Sequence, residues 1–188
     1  MSGAAIRKDR SLTVAARKSL LTLLLLALLC VGCKQKRKWA IPEPLGEQSF
    51  LASSIKVTDP ASATQFLTGF YPMEDTWRWT MKDFSVALGP PGTAAQKGAK
   101  LVLYFSVPDM VIEKLKSITL SAVANDFTLT PETYTKSGDY TYTRDLPPAC
   151  FTAEKVTVNF HLDKSLHASG DELRELGVIV SAIGFENK

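Results

Sequence analysis

The chain has 188 residues, 45% of them hydrophobic, and its 22 Lys and Arg against 19 Asp and Glu give a formal charge of +3. The balance is uneven: residues 1–38 carry nine bases and one acid, so the rest holds 13 bases and 18 acids, a net charge of about −5. A mildly acidic body with scattered Lys and Arg excludes the clustered basic surface that nucleic-acid binding needs, and three cysteines, two of them at positions 30 and 33, exclude a disulfide framework.

The first element is an export signal. A basic region with Arg7, Lys8, Arg10, Arg17 and Lys18 precedes an apolar run from Leu20 to Val31, followed by Gly32 and Cys33. The run predicts a hydrophobic signal or anchor helix of about a dozen residues, short of the roughly 20 that cross a bilayer core. Cys-Val-Gly-Cys at its end resembles the lipobox of bacterial lipoproteins, although Cys30 stands where a leucine is commonest. The resemblance implies that Cys33 is acylated on its thiol and becomes the first residue of the mature chain. It also implies a bacterial cell envelope location, with the domain facing periplasm or exterior. The alternative is an uncleaved signal anchor, which Lys34, Lys36, Arg37 and Lys38 favour because basic residues beyond an apolar segment resist translocation. Either way membrane lipids are the first partner, and this basic cluster falls at the depth of anionic headgroups.

Residues 34–54, with Pro42, Pro44 and Gly46, read as a spacer between the signal (residues 1–33) and a domain (residues 55–188). The domain reads as all-β, a single antiparallel β-sandwich of jelly-roll-like form. Period-two alternation marks Phe84–Leu88, Leu101–Val107, Ile118–Ala122, Tyr140–Tyr142 and, most clearly, Val156-Val158-Phe160-Leu162. Val178 to Phe185 is apolar on both parities, which predicts a central strand. Turn chemistry separates these runs at Asp59-Pro60, Gly89-Pro90-Pro91-Gly92, Asn125-Asp126, Ser137-Gly138-Asp139 and Pro147-Pro148. Short helices are predicted at Asp109–Lys116 and Asp171–Leu176, the second closed by Gly177. Cys150, beside Phe151, is expected to be buried.

The densest pattern is Gly69-Phe70-Tyr71-Pro72-Met73-Glu74-Asp75-Thr76-Trp77-Arg78-Trp79-Thr80. Together with Arg174-Glu175-Leu176-Gly177 it is similar to a motif of small β-sandwich domains in bacterial cell-surface proteins, some of them attached to glycan-handling enzymes. Strand alternation sets Trp77 and Trp79 on one face and Arg78 on the other. A buried guanidinium needs a carboxylate, and Glu74, Asp75 and Glu175 are the candidates. One reading makes the motif a packing lock. The other makes Tyr71 and Trp77 a stacking platform, with Glu74 and Arg78 as polar contacts to a sugar.

Catalytic patterns are thin. His161 lies in a strand with its ring toward solvent, and no Cys/His/acid spacing suits zinc. No glycine-rich loop cradles phosphate, so no cofactor is expected. Asp163, Ser165 and His167 sit too close together in one loop for triad geometry. The sequence therefore points to a membrane-anchored envelope lipoprotein whose domain is a non-catalytic binding or assembly module, with an envelope protein or a glycan as partner and no enzyme activity.

Overall fold

Alternation decides the longest strands. In Val156–Leu162 the residues Val156, Val158, Phe160 and Leu162 are buried and their neighbours are not, and Leu101, Leu103, Phe105 and Val107 do the same one strand pair away. The computed structural model describes residues 51–188; Cys33, the signal and the spacer up to residue 50 lie outside the described residues.

Among the described residues nine strands form one antiparallel, nearly closed sheet: β1 (Ser54–Lys56), β2 (Phe66–Phe70), β3 (Arg78–Leu88), β4 (Ala99–Val107), β5 (Ile118–Ala124), β6 (Phe127–Tyr134), β7 (Gly138–Leu146), β8 (Val156–Leu162) and β9 (Ile179–Asn187). Their order is β6-β5-β8-β3-β9-β4-β7, with β1 on β9 and β2 on β3. β3 makes the sheet continuous. Its first residues, Arg78 and Trp79, pair with Val180 and Ile179 of β9, whereas Asp83 to Leu88 pair with β8. One layer is thus β6-β5-β8-β3-β2 and the other β1-β9-β4-β7. At the far ends, side chains replace the missing backbone ladder: Arg144 Nε and the Tyr142 hydroxyl donate to the Thr130 carbonyl at 2.7 and 2.9 Å, and Arg144 pairs with Glu132 at 2.8 Å.

Both layers send their apolar residues into one core. Phe84 and Phe160 lie opposite each other in the β3–β8 register and stack at 4.8 Å with an 11° interplanar angle. Val178, just before β9, is buried too, and within β9 a bulge at Ser181 lets Val180 and Ile183, of opposite parity, both point into the core. Cys150 is buried in the core cluster, its thiol 3.6 Å from the Ala124 carbonyl.

The helix at Asp109–Leu115 forms and ends at Lys116 in a left-handed conformation. The helix expected at Asp171–Leu176 does not. Glu172 Oε1 accepts the backbone N–H of Arg174 at 2.9 Å, and Leu166 and Ser169 form bridges with Leu176 and Glu172, so the segment doubles back as an open turn. Ala52 and Ser53, which composition assigns to the spacer, already bond to the domain: Gln65 brackets Ala52 at 3.0 Å on both sides, and Phe185 N–H donates to Ser53 at 2.7 Å.

Candidate functional site

The Gly69–Thr80 pattern is a hairpin whose shape follows from three residues. Gly69 has φ +75°, and a Cβ there would sit 2.0 Å from the Asp83 carbonyl, so only glycine permits this bend of β2 against β3. Asp75, at φ +55°, makes the tight turn between Glu74 and Trp77, which exchange backbone hydrogen bonds at 2.9 and 3.2 Å. Tyr71 N–H then donates to the Trp79 carbonyl at 3.0 Å and fixes the register. Trp77 and Trp79 meet edge to face at 6.3 Å; Trp79 is buried and Trp77 half-buried.

The carboxylates of this hairpin do not serve Arg78. Its guanidinium lies 4.9 Å over the Phe66 ring, its Nε is buried without a hydrogen-bond partner, and it forms no ion pair with a described residue. The expected pairing with Glu74, Asp75 or Glu175 is therefore corrected: β2 curls so that Phe66 covers Arg78, while Glu74 faces the other way. Glu74 instead receives Nη1 of Arg174, a hundred residues on. Arg174 also grips Glu172 with two parallel bonds of 2.9 Å and lies 5.3 Å over the Tyr71 ring. The Tyr71 hydroxyl accepts the Glu175 N–H at 3.0 Å, and Ser165 donates to the Glu175 carboxylate at 2.6 Å. These bonds from Arg174 hold the Glu172 carboxyl down at about 2. Gly177 N–H donates to the Thr80 carbonyl at 2.7 Å, and a Cβ on Gly177 would strike Leu162 and Thr80. The two sequence motifs therefore close on each other as a latch.

Of the residues singled out, Tyr71 and Glu74 are drawn together by Arg174, Trp77 leans on Trp79, and Arg78 stands apart on Phe66. Chemically the latch is self-satisfied. Ser165 is buried and bonded to Glu175, and Asp163 accepts the Thr119 N–H at 2.6 Å, so Asp163, Ser165 and His167 make no nucleophile and base. Among the described residues no group of three His, Cys, Asp or Glu is placed to hold a metal.

The other polar constellation is spread over four strands. Register aligns Asp83, His161 and Ser121 across β3, β8 and β5, and one pleat further Thr68, Ser85, Asn159 and Val123 across β2, β3, β8 and β5. These line a groove of about 260 Å³ on the outer face of the layer. His161 Nδ1 and Asp83 Oδ1 are 2.6 Å apart, Thr68 and Ser85 share a 2.8 Å hydroxyl contact, and Ser121 donates to the His161 carbonyl at 3.1 Å. Sequence reasoning placed His161 outward but missed the groove, because its members are scattered from 68 to 161; only outward parity on neighbouring strands marks them. A larger cavity of about 650 Å³ lies near Leu51, among Gly89–Gly92 and Phe151–Lys155, with only Thr152, Glu154 and Lys155 to offer polar side chains.

Fold and site together define an all-β domain with a latched hairpin and a polar outer groove. No family model and no curated protein matches the chain. It is similar to a solved structure titled "CBM4 structure and function", at a TM-score of 0.34 and 10% identity, over 72% of this chain and 85% of that one.

Proposed function

We propose that this chain is an envelope lipoprotein, held to a membrane by acyl chains on Cys33, whose jelly-roll-like β domain is a non-catalytic binding or assembly module. One observation carries the module reading: Glu74, Glu172, Glu175, Ser165 and Arg174 are spent on one another in the latch, while the outer layer presents a shallow groove of hydrogen-bonding groups. The latch groups face one another and stabilise a scaffold, whereas the groove groups, though several bond within their rows, keep outward donors and acceptors, Asn159 and Nε2 of His161 among them, that a ligand can reach. The same pairing argues against Tyr71 and Glu74 as a sugar platform, since a ligand would have to displace Arg174 from both.

Two measurements test this reading. Radiolabelled palmitate should enter the intact protein and leave the cleaved, labelled species absent in Cys33→Ser, because several acyl chains at about 0.8 kcal/mol per buried CH₂ are what hold such a protein. A full-length, unlabelled, membrane-bound chain would instead establish an uncleaved anchor. Affinity capture from solubilised envelopes should retain a defined protein or polysaccharide; retention of neither refutes the module.

A further inference from the structure

We infer that the groove across β2, β3, β8 and β5 is a binding site for a neutral saccharide, an inference that rests on the binding-module reading and gives it a ligand class. Its lining combines one carboxylate, one imidazole, one amide and three hydroxyls, from Asp83, His161, Asn159, Ser85, Ser121 and Thr68, and no Lys or Arg. Without a cation it does not recognise phosphate, sulfate or a nucleic-acid backbone. Its one outward apolar side chain, Val123, is too small to anchor a protein, and its floor strands β3, β5 and β8 are paired on both sides, so an extended peptide would find a free edge only on β2, at the border of the groove. Mixed donors and acceptors facing a shallow recess suit a ligand that offers both on every side. A sugar ring does this with its hydroxyls.

The geometry sets the scale. Neighbouring strands stand about 4.8 Å apart and outward residues about 6.7 Å apart along a strand, so the two rows form a grid with cells about the size of one ring. About 260 Å³ lies just under the roughly 300 Å³ at which ligand clefts begin, enough for one or two residues of a longer chain. The floor is rigid. Phe84 and Phe160 alternate with the lining residues on β3 and β8 and stack directly beneath them, so the grid is preorganised by the core. Asp83 orients His161 through Nδ1, and neither Nε2 of that ring nor the second Asp83 oxygen is bonded to another described residue.

The test uses the full-length protein in lauryldimethylamine oxide micelles, which carry no sugar, titrated separately with cellohexaose, maltohexaose and chitohexaose and followed by backbone-amide NMR. At least one probe should shift the amides of Asp83, Ser85, Ser121, Asn159 and His161. Asn159→Ala and His161→Ala should each weaken its Kd by about tenfold or more with the melting temperature unchanged, while Trp77→Ala binds normally. No shift from any of the three probes overturns the saccharide site, while acylation and envelope capture still decide the module reading. Shifts centred on Tyr71 and Trp77 also overturn it, and leave a saccharide module with a different site.

Discussion

Replacing Arg78 by methionine should stabilise the protein, although arginine in a buried aromatic motif ordinarily signals an ion pair. The buried Nε has no acceptor, and an orphaned donor costs about 1–3 kcal/mol. Against that stands the guanidinium over Phe66 at 4.9 Å, a contact that returns about 0.5–1 kcal/mol. Methionine keeps the unbranched length, removes the orphan and sets a sulfur on the same ring for about 0.3–1.5 kcal/mol. The net expectation is a gain of about 1 kcal/mol, or a rise of about 3–5 °C in Tm. Urea unfolding of residues 48–188, the compact unit of the fold, followed through the fluorescence of Trp77 and Trp79, measures it. Arg174→Met is the control of opposite sign: it removes the Glu74 contact and the Tyr71 stack from a partly exposed site and should cost about 1–2 kcal/mol. A loss of about 3 kcal/mol or more in Arg78→Met would mean that a buried carboxylate had been stripped of its partner, and the account of this hairpin would be wrong.

Acid should weaken the latch. Glu172 titrates at about 2 in the folded protein against an ordinary 4.5, so its contribution is complete above about pH 4.5 and is lost as pH falls toward 2; Arg174→Met should flatten the stability profile over that window. Burial, with Asp126 nearby, pushes the Cys150 thiol up, so in residues 48–188 it should resist Ellman's reagent until urea unfolds the chain, and rapid native labelling would contradict the buried site. Phe160→Ala should cost about 3–5 kcal/mol. A double-mutant cycle with Phe84→Ala should show a coupling of about 0.5–1.5 kcal/mol for the stacked pair, and strict additivity would deny the stack.

What the sequence disclosed follows from how local each cause is. β8 was legible because one buried face needs nothing beyond period two; β9 shows apolar residues on both parities because a bulge at Ser181 shifts its register, so Val180 and Ile183 both face the core while Ser181 and Glu186 stay exposed. β1 has three residues, β2 is bent at Gly69, and β6 carries Pro131 at a shift in its pairing with β5, so none shows a pattern long enough to read. The failed helix at 171–176 had acids near its start and a glycine after its end, but a side chain captured a backbone donor that helix formation needs. Sequence proximity offered Glu74 to Arg78, four residues away; the fold gave it to Arg174. The groove was illegible for the same reason, since its rows exist only once register brings positions 68, 85 and 159 side by side in one and 83, 161 and 121 in the other.

The side-chain stitch between β6 and β7 has a consequence for the protein in company. An open sheet ends in bare amides and carbonyls that recruit a neighbour's strand and begin aggregation. Here the Thr130 carbonyl is occupied twice, by Tyr142 and Arg144, the next residue is a proline with no N–H to offer, and the Arg144–Glu132 pair sets charge beside it. Copies crowded together at high density thus meet this end of the sheet already capped at Thr130 and Pro131, which removes one template for edge-to-edge pairing.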